Sequence, residues 1–185
     1  EMGIRFNQDW IQIPGGEDGL NFGSGNWTAM TWHLHDASEG THDHGVFDGG
    51  YYDNSINGGW GLRLHRTTGI EFYQNNGTSI HTNVVSGTDD LDDEDKKWRH
   101  YLVGNDGTNA RLFFNGTQVA SASFGGNSPY GTGNSSFGLS IGKIRTGVGE
   151  HTQGFLDQIA VYKGCWLGNT HGSSISGGGI AGSRP

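Results

Sequence analysis

The sequence has one cysteine, Cys165, three prolines and only 11 lysines and arginines among 185 residues, and each shortage excludes something. A lone cysteine cannot close an internal disulfide, so no disulfide framework holds the chain; its default role is that of a small buried hydrophobe. Few prolines, with 35 glycines in no G-x-y period, exclude collagen. Eleven cations against 19 acids give a formal net charge of −8 and no basic stripe, which argues against nucleic acid or an anionic membrane surface as partner. No apolar run approaches the ~18 residues of a membrane-spanning helix, and no segment carries a capped helical stripe. The chain opens Glu1-Met2-Gly3 without a signal-peptide pattern, as a mature form or a fragment would. Aromatic residues, by contrast, are plentiful. Six Trp, six Tyr and nine Phe exclude disorder, and beside so many glycines they indicate short strands joined by tight turns.

The length suits one domain with a real core. Composition shifts only at the end, where residues 168–185 read GNTHGSSISGGGIAGSRP, so we expect a domain over 1–167 and a Gly/Ser-rich tail over 168–185. Strand signals fill the domain. Trp10 to Ile13 stops at Pro14-Gly15. Trp27 to Asp36 alternates, with Thr28, Met30, Trp32 and Leu34 expected on the core face and Ala29, Thr31, His33 and His35 on the other. Trp60–His65 and Gly69–Tyr73 flank a turn at Thr67-Thr68-Gly69; Trp98–Val103 follows. Asn115-Gly116 between two strand-like runs predicts a type I′ hairpin, because both turn residues need positive φ. Phe137–Ile141 and Phe155–Tyr162 close the series. The fold class is all-β, an antiparallel two-sheet sandwich or jelly roll, with Trp32, Leu34, Leu112, Phe114, Ile159 and Val161 expected in the core.

These segments, in this order, resemble a laminin-G-like, concanavalin-A-like jelly roll. The resemblance runs through Phe6-Asn-Gln-Asp-Trp10-Ile-Gln-Ile-Pro14, Leu20-Asn-Phe22 to Trp32, Trp60-Gly-Leu-Arg-Leu64, Trp98-Arg-His-Tyr-Leu-Val103, Arg111 to Val119 and Gly154 to Tyr162. It covers about residues 4 to 165, with Asn115 where the family carries aspartate. It implies the fold and leaves the function open, since such domains include lectins, carbohydrate-binding and adhesion modules, glycosidases and phage virion parts. The Tyr162-Lys163-Gly164 ending resembles versions common in phage structural proteins.

Catalysis has no residues to rest on. The family's glycosidases use paired carboxylates in an E-x-D-x-x-E type motif, and their chemistry needs two acids at a set separation. None of the six glutamates, Glu1, Glu17, Glu39, Glu71, Glu94 and Glu150, sits in such a motif. No G-x-S-x-G elbow occurs. The chain is therefore expected to be a non-enzymatic recognition module.

The binding candidate is the stretch 36–59, DASEGTHDHGVFDGGYYDNSINGG, expected as a long loop. His42, Asp43, Asp48, Tyr51, Tyr52, Asp53, Asn54 and Asn57 combine planar rings, which stack on the C–H face of a pyranose, with side chains that take its hydroxyls. A solvated loop of mixed polar residues is the alternative. His33-x-His35 and His42-x-His44 have spacings compatible with a metal, His33 and His35 lying ~7 Å apart on one strand face; solvent-facing histidines are the preferred reading. In Phe155-Leu-Asp157-Gln-Ile-Ala-Val161, alternation puts Asp157 on the apolar face, where a carboxylate needs a cation or several donors. The resemblance implies a structural calcium there, completed by Asn7 or Asp9; a turn cap through backbone N–H groups is the alternative. Residues 89–95 hold six acids in seven positions but lack an EF-hand's glycine and glutamate placement, so they read as a charged surface loop. The expected partner is a cell-surface or extracellular glycan, bound outside a cell or on a virion. A capsid-decoration or tail component contacting other virion subunits is the alternative.

Overall fold

The computed structural model describes residues 3–14, 26–36, 43–49, 59–65, 69–75, 80–86, 97–123, 138–144 and 150–163. They form twelve strands: β1 Ile4–Asn7, β2 Ile11–Ile13, β3 Trp27–His35, β4 His44–Asp48, β5 Gly59–His65, β6 Gly69–Asn75, β7 Ile80–Ser86, β8 Trp98–Asn105, β9 Asn109–Phe114, β10 Thr117–Ser123, β11 Leu139–Ile141 and β12 Gln153–Lys163. Two six-stranded sheets result. Sheet A runs β1-β12-β3-β8-β9-β10 and sheet B runs β2-β11-β4-β5-β6-β7. Every pairing is antiparallel. Consecutive β1 and β2 belong to opposite sheets, so the first described residues strap one side of the sandwich. Among the described residues no helix is long and apolar enough to cross a membrane.

The core lies between the sheets and is built on aromatics. Trp27 from sheet A meets Trp60 from sheet B at 4.7 Å between ring centroids, and Phe72 and Phe47 close on this pair at 5.9 Å. Phe6, Ala29, Tyr101, Val103, Leu112, Leu62, Leu64, Ile70, Ile141 and Leu156 are among the residues that extend it. An indole removes up to ~200 Å² from water, so each tryptophan contributes on the order of 5 kcal/mol as an upper estimate.

The phase of β3 is the reverse of the sequence expectation. Trp27 and Ala29 point into the core, with Thr31 and His33 fully buried along the same parity. Trp32 points away and meets the His100 ring at 5.0 Å, and Leu34 shares its side. Alternation cannot choose between faces here, because β3 is central and buried on both. Of the other expected core residues, Leu112 lies in the core, and Phe114, Ile159 and Val161 pack partly buried against it.

The stretch 36–59 is also not wholly a loop. His44–Asp48 within it is β4, buried at all five positions and inserted between β11 and β5. One short apolar pair, Val46-Phe47, is too little to read as a strand from sequence. In β12 a bulge between Asp157 and Ala160, with Gln158 at φ 49°, shifts the alternation. Leu156 is the inward residue before it, and Ile159 and Val161 after it. The expected Asn115-Gly116 turn is present, with φ of 48° and 81°. Asn115 also exchanges bonds with β8: its N–H donates to His100 O, and its Oδ1 accepts from His100 N–H, both at 2.8 Å.

On the outer face of sheet B, residues 142–144 and 150–152 fold back over β4. Gly142 N–H donates to Val46 O, Ile144 N–H to Glu150 O, and Thr152 Oγ1 to Gly45 O. Gly45 permits this approach, since a side chain there would overlap the Ile144 backbone nitrogen. We predict that Gly45→Ala costs about 2–3 kcal/mol through overpacking. Urea unfolding should show the loss, and hydrogen exchange should quicken first at the Ile144 and Thr152 amides; unchanged exchange at both would refute the account.

Candidate functional site

Two polar assemblies stand out, one inside the sandwich and one on its outer face. At one end of the core, His33 and His35 of β3 face His44 of β4, with ring centroids 5.7 Å apart for His33–His44, 4.6 Å for His35–His44 and 6.1 Å for His33–His35. The histidines expected on a solvent face therefore lie between the sheets, a consequence of the reversed β3 phase. Gln153 sets two of the tautomers. His33 Nε2 lies 3.3 Å from Gln153 O and donates to it, while Gln153 N–H donates to His44 Nδ1 at 3.0 Å. Burial, with the neighbouring His35 and Arg99 charges, lowers the His33 pKa from 6.5 to about 3. Burial alone lowers His100, on the other side of sheet A, to about 4. The His33 and His100 rings are therefore neutral near pH 7. Among the described residues, no group of three His, Cys, Asp or Glu is placed to hold a metal ion.

The outer face of sheet B carries a connected row. Leu62 and Leu64 point inward on β5, so Arg63 and His65 point outward; Ile70 and Phe72 do the same for Glu71 and Tyr73 on β6. Arg63 and Glu71 are direct cross-strand partners. Arg63 donates to Glu71 Oε2 from Nε at 3.0 Å and from a terminal nitrogen at 2.6 Å, and to Glu150 Oε1 at 2.8 Å. The His65 ring lies 2.8 Å from Glu71 through Nε2 and 2.9 Å from Asp43 through Nδ1. Burial opposes the Arg63 charge, but Tyr73, Glu71 and Glu150 outweigh it and raise its pKa. The row Glu150–Arg63–Glu71–His65–Asp43 thus ties the folded-back residue 150 to the start of the 43–49 segment. It opens to water towards Asp43, whose side chain is 32% exposed.

The structure separates the residues singled out from sequence. Asp43 sits at the open end of the row. Asp48 is inside sheet B, 2% exposed, opposite Ser140 and Gly61. His42, Tyr51, Tyr52, Asp53, Asn54 and Asn57 lie outside the described residues, as do the acidic run 89–95, Cys165 and the 168–185 tail. Asp157 is half-buried at the β12 bulge, where its Oδ1 accepts the Gln158 N–H at 2.6 Å. Asn7 pairs in register with Gln153, four residues from Asp157, which is ~13 Å along a strand. Ligands of one calcium ion must converge to 2.3–2.6 Å from it, so Asn7 and Asp157 do not fit a common ion. Arg63, His65 and Glu150 were not picked out from the sequence. The signal was available for the first two, since Arg63-x-His65 and Glu71-x-Tyr73 alternate with apolar residues on either side of one turn.

A two-sheet antiparallel sandwich of this strand order is a lectin-type jelly roll. The chain belongs to the concanavalin A-like lectin/glucanases superfamily, whose family model matches residues 6–167. No curated protein matches the sequence. Among solved structures it is similar to the binding domain of Paraclostridial Mosquitocidal Protein 1, with TM-score 0.62 and 16% identity over 87% of this chain and 40% of that one. It is also similar to domains LG4-5 of the mouse laminin alpha1 chain, with TM-score 0.56 and 11% identity over 82% of this chain and 40% of that one. A third is domain 4 of AbnA, a GH43 extracellular arabinanase from Geobacillus stearothermophilus, in complex with arabinotriose, with TM-score 0.55 and 14% identity over 86% of this chain and 69% of that one. The chain thus spans 40% of the length of the first two. At these identities the likeness shows the fold alone.

Two predictions follow from the polar assemblies. His33 and His100 have folded pKa values below the unfolded 6.5. Their contribution is therefore intact above pH 6.5 and is lost as pH falls from there towards 4 and 3. At pH 4.5 the loss is about 2–3 kcal/mol per histidine, seen as a falling urea midpoint, and His100→Phe flattens the curve. Arg63→Met strands Glu71 and Glu150 and costs about 3 kcal/mol. Thermal unfolding should show that cost, with a large part recovered in Arg63→Met/Glu71→Leu.

Proposed function

We propose that this domain is a non-catalytic glycan-recognition module that works outside the cell, with the 36–59 stretch contacting the sugar. The observation that carries the reading is the braced base of that stretch. The segment beginning at Asp43 is locked to the sheet by His65, Glu71, Arg63 and Glu150. Residues that bind weakly and reversibly gain from such a base, because ordering them costs less on binding. His42, Asp43, Tyr51, Tyr52, Asp53, Asn54 and Asn57 supply the rings and hydrogen-bonding groups that pyranoses need, while the buried Asp48 drops out of the contact set. The same row argues against hydrolysis. Glu71 and Glu150 are both engaged by Arg63, whereas a glycosidase holds one carboxyl at the glycosidic oxygen as its acid. Membership in a superfamily of lectins and glucanases, and likeness to an extracellular arabinanase domain bound to arabinotriose, support a saccharide ligand and an extracellular place.

Stacking and hydrogen bonds at a single such site give weak affinity, so several copies acting together make the binding useful. The test is a glycan array probed with the full chain in multivalent display, beside an assay for released reducing sugar. The expected result is retention on at least one glycan class and no release. Tyr51→Ala/Tyr52→Ala should weaken retention about ten-fold, the loss of one to two stacked rings. A blank array, or released sugar, refutes the reading.

A further inference from the structure

At the β2 edge of sheet B, Trp10 is 50% exposed. The ring is not on a loose loop. Gln8, two residues earlier, holds φ at 61°, a region that residues other than glycine enter only under tertiary constraint. Asp9 O packs against Gly142, where the Phe6 ring leaves no room for a side chain. Ile11, which follows Trp10, pairs with Ile141. Lys143 and His151, bridged to each other, flank the indole: the Lys143 ammonium stands 4.2 Å from its centroid, and the His151 ring 6.1 Å at 51°. Among the described residues Lys143 has no carboxylate partner, and the buried His151 Nδ1 has no hydrogen bond. A surface cation–π contact returns little of what an open indole forgoes. Strain, an open ring, an unneutralised cation and an orphaned imidazole nitrogen at one place are not explained by folding.

We infer that Trp10, Lys143 and His151 form a subsite for a saccharide that carries a carboxylate. The pyranose C–H face lies on the indole, the carboxylate takes Lys143 as it moves from the ring face to the ring edge, and the His151 ring walls the subsite. On a chain of net charge −8, a cation without a carboxylate partner is a local point of attraction for an anion. Asp9, the acid that acts electrostatically on His151, disfavours an anion placed on that side, so the carboxylate sits towards Lys143. The inference rests on the glycan reading above and adds to it a second contact surface and a ligand class.

The test is NMR of the full chain, following the Trp10 indole N–H, assigned with Trp10→Phe, against trigalacturonate and sialyllactose, with maltotriose and lactose as neutral counterparts. At least one acidic sugar should shift that signal and bind about ten-fold more tightly than its neutral counterpart, the margin of one charge-assisted contact. Trp10→Ala should abolish the binding, and Lys143→Met should reduce the acidic sugar to the neutral affinity. Raising salt from about 0.05 to about 0.5 M should weaken wild type several-fold and leave Lys143→Met unchanged. No shift with either acidic sugar, or equal affinity for acidic and neutral sugars, overturns the inference. Acidic-sugar binding that survives Trp10→Ala undiminished overturns this subsite and leaves the glycan module standing; no binding by either method removes both. The indole shift in wild type stands whatever the stability of the variants.

Discussion

The contact of Trp27 with Trp60 governs the rest of the molecule. It joins the centre of one sheet to the other, and Phe47 and Phe72 close around it. With Trp27 inward, the parity of β3 is set along its whole length. Thr31, His33 and His35 must then continue inside, and Trp32 must face outward. A residue three pleat repeats from His33 and four from His35 thus decides that they are buried. The second sheet responds by supplying His44, and Gln153 supplies the hydrogen bonds that keep two of the imidazoles in defined tautomers.

The outer face of sheet B is organised by a different logic. Its residues are charged, and they gain order from each other and from the folded-back residues 142–144 and 150–152. Gly45 gives the space and Arg63 the attraction. The same residues 142 and 143 that lie over β4 also hold Asp9 and Trp10, so the ionic row and the open indole share one support. Changes in one are expected to be felt in the other, because close-packed backbone transmits small shifts.

The architecture was readable because turn chemistry and aromatic-rich runs mark strands strongly. Asn115-Gly116 gave its hairpin from two residues, and the ordered series of aromatic strands gave the sandwich. Faces were less readable. Alternation reports which residues share a side, and for a central strand such as β3 both sides are buried, so the sign is lost. In β12 one extra residue at the bulge reverses parity between Leu156 and Ile159, which misplaced Asp157. β4 was hidden in a stretch rich in glycine and polar residues, because its burial comes from its neighbours rather than from its own composition. Arg63 and Glu150 are 87 positions apart, a pairing that only the fold can make.

The strap formed by β1 and β2 has a consequence for how the domain meets its surroundings. A dozen residues supply the outermost strand of both sheets on one side, and both strands are short, four and three residues. Short edges offer little template for pairing with another chain. Should the strap detach, β12 and β11 would be uncovered together, and β12, at eleven residues, is the longest strand described. A single proteolytic cut near Pro14 would therefore turn a protected domain into one with two open edges on the same side, and it would be there that self-association begins.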